Sequence, residues 1–165
     1  MVQYGLENRY CALLEQAIGA GNMAIYGKGG EAFRAFWFNQ FVKENDWFRA
    51  PYVFLALGTN NSSLGNYLPY AQQAIDVCKR NGQTPILVTI TPRPTVSEAN
   101  LTAMNDWIRN SGEKYVDMNL AVTVPGNQYQ WRDGYVLGDL VHPSVAGHKA
   151  MFERITIDLP ELLNV

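Results

Sequence analysis

The sequence predicts a three-layer α/β sandwich built on a parallel sheet, and three observations carry the prediction. Short apolar runs of strand length, "YVFLAL" (52–57) and "PILVTI" (85–90), alternate with amphipathic segments of ten or more residues. A run that is apolar throughout suits a strand covered on both faces, and helices between such strands make βαβ units. Polar or glycine-rich segments, "GKGG", "GTNNSS" and "TPRPT", follow the strand-like runs, and an open parallel sheet gathers its ligand site at the carboxyl ends of its strands.

Each element follows from its pattern. Leu6, Tyr10, Leu13, Leu14, Ala17 and Ile18 recur at three- and four-residue spacings, so residues 6–18 form an amphipathic helix closed by Gly19 and Gly21. "NMAIYG" (22–27) reads as a short buried strand, and residues 31–44 as an aromatic-rich second helix. Phe33, Trp37 and Phe41 fall at four-residue intervals there, so core packing explains them better than a stacking platform for sugars. After the 52–57 strand comes a helix with Tyr67, Ala71, Ala74, Ile75 and Cys78 on one face. Ser97 caps the next helix, whose Leu101, Met104 and Ile108 point inward. "YVDM" (115–118) is a short strand, with Asp117 suited to local capping or pairing, and the last helix runs from near Ser144 to about Leu159. No linker or repeat divides residues 1–165, which read as a single domain.

The composition excludes several classes. At 165 residues one core can bury roughly 70% of the unfolded surface, and a chain 47% hydrophobic and 17% charged is globular rather than disordered. A formal charge of −2 without a basic block supplies no phosphate-neutralising stripe, so nucleic acid is not an expected partner. No apolar run reaches the ~20 residues of a membrane span, and "MVQYGLENRY" lacks the basic and apolar regions of a signal peptide. The chain reads as soluble, with no compartment assigned. Cys11 and Cys78 are too few for a disulfide framework and read as two buried thiols.

Chemistry concentrates in "GDLVHPSVAGHKAM" (138–151), where Asp139 precedes His142 by three residues at a helix entrance. Histidine, with an ordinary pKa of about 6.5, suits a general base, and its second ring nitrogen needs an acceptor to fix tautomer and orientation. Asp139 is near enough to be that acceptor, and Asp133 in "WRDGY" is a rival acid. His148, in the first turn of the last helix, reads as structural or as a surface residue. Tyr129, Trp131 and Tyr135 fall in an irregular loop before this turn; the loop is equally a wall of a substrate cleft or a packed surface loop.

Three segments together resemble the SGNH hydrolases, also called GDSL-like esterases and lipases. "NMAIYGKGG" is similar to the family's second block, with Gly27 on its oxyanion-hole glycine and Ala24 in place of an earlier glycine. "LGTNN" resembles the third block, with Asn60 on the asparagine position and Asn61 where aspartate is common; "DLVHPSVAGH" resembles the fifth almost letter for letter. The resemblance spans residues 6–160. It implies a parallel, flavodoxin-like sheet of order 2-1-3-4-5, and Ser-His-Asp cleavage of small acyl esters, acetyl groups on carbohydrates among them. It further implies His142 as base, Asp139 as its orienting acid, and no metal or organic cofactor. Gly27 N–H and the Asn60 amide become the oxyanion donors, with Tyr129 and Trp131 against the substrate; without the resemblance, Gly27 reads as a strand-to-helix turn and Asn60 as an Asx turn.

One departure is plain: no serine occurs in residues 1–61, and the family's Gly-Asp-Ser block and the strand that carries it have no counterpart. Ser62, Ser63, Ser144 and Cys11 are poor substitutes, being beside the asparagine, at a helix cap or inside a helix. The family's first strand would lie between "NMAIYG" and "YVFLAL", and its loss would open a slot of about 10 Å, twice the ~4.8 Å strand spacing. The expectation is that about 15–30 preceding residues, or a second chain, complete the sheet and bring the serine. The alternative is an inactive domain of the same fold serving as a glycan-binding or structural module.

Overall fold

The computed structural model describes residues 6–19, 21–26, 29–47 and 50–164. Along the chain run helix α1 (Tyr10–Ile18), α2 (Ala35–Trp47), strand β1 (Tyr52–Leu55), α3 (Leu64–Arg80), β2 (Thr84–Val88), α4 (Glu98–Asn110) and β3 (Lys114–Val116). Then come α5 (Met118–Val122), β4 (Thr123–Val124), β5 (Asn127–Trp131) and α6 (Val145–Asp158), with a single 3-10 turn at Leu6–Asn8 and another at Pro160–Asn164. One sheet has the order β1-β2-β3, with β1 and β2 parallel in register Tyr52↔Thr84 to Leu55↔Leu87. The fold is α/β with a parallel sheet, as the alternation of runs predicts. Among the described residues no helix is long and apolar enough to cross a membrane.

The described residues fall into two compact units, one drawn from Lys28–Ile90 and Thr95–Tyr115, the other from Met1–Gly27, Thr91–Pro94 and Val116–Val165. In the first, the α3 face is as predicted: Tyr67, Ala71, Ala74, Ile75 and Cys78 are buried. So are Leu101, Met104 and Ile108 of α4, each side chain contributing about 1.5–3 kcal/mol by leaving water. Phe33 is buried with its ring edge-on to Trp37 at 4.8 Å and to Tyr67 at 5.0 Å, while Trp37 stacks on Phe41 at 4.9 Å, so the aromatic series is packing. Strand β2 is apolar and almost wholly buried. Ser97 caps α4, its hydroxyl accepting from Asn100 N–H at 3.3 Å.

In the second unit α6 packs on α1 and α5, with Leu14, Met118, Val122, Met151 and Ile155 buried. Asp117 leaves the strand expected at 115–118 and caps α5, accepting from Leu120 N–H at 3.0 Å; its own N–H donates to Asp158 Oδ2 at 2.8 Å. Arg154 pairs with the same Asp158 carboxylate from one turn back on α6.

Four expectations need correction. Residues 22–26 are no strand: they enter neither sheet, and Ile25 and Tyr26 are 50% and 56% exposed. An apolar run extends as a strand only where a neighbour supplies ladder bonds, and no ladder reaches this one. Strand β1 is half-buried rather than covered on both faces, as befits a strand at the end of the sheet order. Helix α2 starts at Ala35, not 31, because the Glu31 and Phe33 backbones are held by side chains of Asn60 and Asn61. Tyr129 and Trp131 stand on β5 of an antiparallel hairpin rather than in an irregular loop; Pro125-Gly126 makes its turn, with Gly126 at φ 80 in the left-handed region that glycine takes without strain.

Candidate active site

The turn that carries Asp139 and His142 is built by bonds of its own. Tyr135 N–H donates to Arg132 C=O at 3.1 Å, Leu137 N–H to His142 C=O at 2.9 Å and Leu140 N–H to Leu137 C=O at 2.9 Å. Val136 and Pro143 form an antiparallel bridge, and Leu140 sits at φ 58, the one non-glycine in the left-handed region among the described residues. A leucine there costs about 1–2 kcal/mol, which the surrounding bonds offset. The loop closes on α6 through Gly147, where a Cβ would overlap the Tyr135 carbonyl oxygen.

Asp139 organises the turn. Its Oδ1 accepts from the backbone N–H of Val141 and of His142, each at 2.9 Å, and its Oδ2 lies 2.7 Å from His142 Nδ1. These bonds favour the charged form and hold the carboxyl at about 2, the backbone N–H of His142 contributing most and its ring next. An ionised Asp139 can only accept, so His142 Nδ1 carries the proton and Nε2 presents its lone pair. The imidazole is 72% exposed and the carboxylate 49%. Such a carboxylate-held ring can take a proton from a hydroxyl and return it.

The other predicted residues sit as follows. Asn60 is exposed and its Nδ2 donates to Glu31 C=O at 2.7 Å, which fixes the amide's rotation. Beside it Asn61 is buried: Oδ1 accepts from Phe33 N–H at 3.0 Å, and Nδ2 donates to Phe33 C=O at 3.1 Å and Asn66 C=O at 3.0 Å. Gly27 lies outside the described residues. Trp131 donates its indole N–H to Pro92 C=O at 3.1 Å, tying β5 to the "TPRPT" segment, and Tyr129 is half-buried on the same strand. The structure thus brings Asp139 and His142 together within one turn, Asn60 and Asn61 together in another segment, and Tyr129 and Trp131 on one strand. The role of Asn61 as a brace escapes the sequence, since Phe33, the residue it braces, lies 28 residues away.

The rival groups are occupied otherwise. Asp133 is an exposed turn residue, and Asp139 is the acid on His142. Ser144 caps α6: its Oγ donates to Gly134 C=O at 2.6 Å and accepts from Gly147 N–H at 3.1 Å. Ser62 Oγ accepts from Asn66 Nδ2 at 3.0 Å, Ser63 stands at the α3 entrance, and Cys11 is half-buried in α1. Burial pushes the Cys78 thiol up to about 11, away from reactivity. His148, half-buried on α6 with its ring 5.9 Å from that of Tyr10, is pushed down to about 4 by burial and then by the Arg9 charge. Among the described residues no group of three or more His, Cys, Asp or Glu side chains gathers as a metal site would.

Solved structures share the fold. A G-D-S-L family protein from Desulfitobacterium hafniense DCB-2 superposes with a TM-score of 0.77 at 16% identity, over 93% of this chain and 89% of that one. A member of the lipolytic G-D-S-L family from Veillonella parvula DSM 2008 gives 0.75 at 15% identity, over 96% and 91%. A catalytic mutant of an acetylxylan esterase from Geobacillus stearothermophilus gives 0.69 at 15% identity, over 91% and 80%. No curated protein matches at the sequence level. The GDSL-like lipase/acylhydrolase family matches residues 2–150, nearly the whole turn-and-helix framework just described, and the chain belongs to that family.

Proposed function

We propose that this protein is an esterase-type hydrolase that cleaves small acyl esters, with acetyl groups on carbohydrates as the first class to test. One observation carries the reading: His142 Nδ1 lies 2.7 Å from an Asp139 carboxylate that two backbone N–H groups hold ionised. Family membership supports hydrolase chemistry. The acetylxylan esterase among the structural neighbours supports the choice of acetyl esters, although at 15% identity it shares only the fold.

The mechanism follows from these groups. A serine hydroxyl supplied from outside residues 1–165 attacks the ester carbonyl carbon while its proton passes to His142 Nε2. Asp139 stays ionised and stabilises the imidazolium. For the negative oxygen of the tetrahedral intermediate the family resemblance assigns Asn60 Nδ2 and Gly27 N–H as donors, a donor of this kind being worth about 3 kcal/mol. Collapse breaks the bond to the alcohol, which takes the proton from Nε2, and water then repeats the cycle to release the acid and restore the serine.

A second reading has its own observation. Ser62, the first serine in the sequence, is bonded by Asn66, and the Ser144 hydroxyl is fixed as a cap, so a chain acting alone would be an inactive module that binds glycans or assembles. Fluorophosphonate labelling of the full-length protein separates the two. The esterase reading expects one labelled serine, mapped by mass spectrometry, and loss of both label and p-nitrophenyl acetate turnover in His142→Ala. No label and no turnover in the parent protein would leave the binding module standing instead.

A further inference from the structure

Arg132 stands where strand β5 ends and the segment that carries Asp139 and His142 begins, and it is bonded in both directions. Backward, its N–H donates to Val122 C=O at 2.8 Å, its Nε to Thr123 C=O at 2.7 Å and its Nη2 to Leu120 C=O at 3.4 Å. These carbonyls belong to the end of α5 and the residue after it, where the helix has no further N–H to offer, and a planar guanidinium can meet two of them at once. Forward, the Arg132 C=O accepts from Tyr135 N–H at 3.1 Å, and the guanidinium carbon lies 5.8 Å from the centroid of the Tyr135 ring, within cation–π range. Tyr135 in turn holds the far end of the segment: its C=O accepts from Ser144 N–H at 2.9 Å and lies against Gly147, while Val136 bridges Pro143. The other hydrogen bonds of residues 133–144 close among themselves or on α6, so the tie to α5 and β4 runs through Arg132. The Asp139–His142 pairing needs none of this, because the contacts of Asp139 within the turn already fix it. What Arg132 governs is where the pair stands against the rest of its unit.

We infer that Arg132 is a positioning residue for His142: through Tyr135 it seats the whole turn on the end of α5 and so aims an imidazole whose partnership with Asp139 is settled locally. The inference deepens the esterase reading and rests on it only for the part His142 plays in turnover. A base acts on the proton in flight, so misplacing it lowers kcat and kcat/KM together and leaves KM alone.

The test is Arg132→Gln in the full-length protein, which keeps the backbone bond to Val122 and removes the guanidinium. The expected result is a fall of about a hundredfold in kcat for p-nitrophenyl acetate with KM unchanged, the cost of a displacement of about 1 Å. The Tyr135 and Ser144 amides should exchange about tenfold faster, as loss of one charge-assisted bond would give. The His142 ring nitrogen shifts should still report a proton on Nδ1. Arg132→Lys, which keeps the charge but not the planar fork, should recover part of the rate, and it carries the same measurements if the glutamine variant does not fold. Arg154→Gln removes an arginine of the same unit that pairs with Asp158; it should lower the melting midpoint and leave kcat as in the parent. An unchanged kcat, an equal loss in Arg154→Gln, or a change in the His142 ring shifts that tracks the rate would overturn the inference, the last by making Arg132 a support of the pair itself. If the parent protein has no turnover, the esterase reading fails on its own, and amide exchange at Tyr135 and Ser144 still decides whether Arg132 seats the turn: unaltered exchange would overturn it.

Discussion

Asn61 and Asn105 solve one problem the same way. Each buried carboxamide accepts from the N–H and donates to the C=O of a single residue, Phe33 for Asn61 and Ile90 for Asn105, the latter at 2.7 and 3.0 Å. The side-chain amide thereby takes the part of a neighbouring strand where the backbone ladder has ended. An amide is required because donor and acceptor must sit together. Asn61→Asp would turn Nδ2 into an oxygen facing the carbonyls of Phe33 and Asn66, and we expect a loss of about 3 kcal/mol in urea unfolding. A variant that melts like the parent would mean the amide does not brace this segment. Asp139 and His142 were readable from sequence because they bond across three residues; Asn61 was not, because its partner Phe33 is distant in the chain and nothing local marks it.

At the scale of elements, α6 is fixed to the Asp139–His142 turn at Gly147, where the only side chain that fits is a hydrogen: a methyl group would meet the Tyr135 carbonyl and, at 3.1 Å, Pro143 Cβ. Gly147→Ala should cost about 3 kcal/mol by overpacking, lowering the thermal midpoint and broadening the His142 ring signals. Unchanged melting would show that the loop yields freely. Further along the first turn, His148 faces the α1 side of α6, near Tyr10 and Arg9, and its buried Nδ1 has no hydrogen-bond partner among the described residues. The folded protein keeps this ring neutral down to about pH 4, whereas the unfolded chain protonates it near 6.5. Stability from the neutral ring is therefore full above pH 6.5 and is lost as the pH falls towards 4. Denaturation midpoints across that window should decline, and His148→Phe should flatten the decline; an equal slope in both proteins would assign it to other groups. The hairpin β4–β5 shows where element reading failed: "NQYQW" has no apolar run, and the usable signals were the short Gln-Tyr-Gln-Trp alternation and the Pro-Gly turn before it.

At the scale of the whole chain, the parts that were legible are those whose pattern is self-sufficient. The α3 and α4 faces follow from 3.6-residue periodicity, and β2 from an unbroken apolar run with partners on hand. Residues 22–26 have the same kind of apolar run without a ladder, and that outcome depends on neighbours, which a single segment cannot report. The contrast sets an expectation for hydrogen exchange: amides of Ile86–Val88 should be among the slowest in the protein, and those of residues 23–26 among the fastest. Comparable protection in the two would contradict the structural difference between them. The hydrogen bonds that shape the Asp139–His142 turn close within residues 132–147, except where Arg132 reaches back to Leu120, Val122 and Thr123. Short closures forfeit little chain entropy, so the spacing of imidazole and carboxylate is a local inheritance. Distant substitutions can deprive this pair of anything to act upon while leaving the pair itself intact.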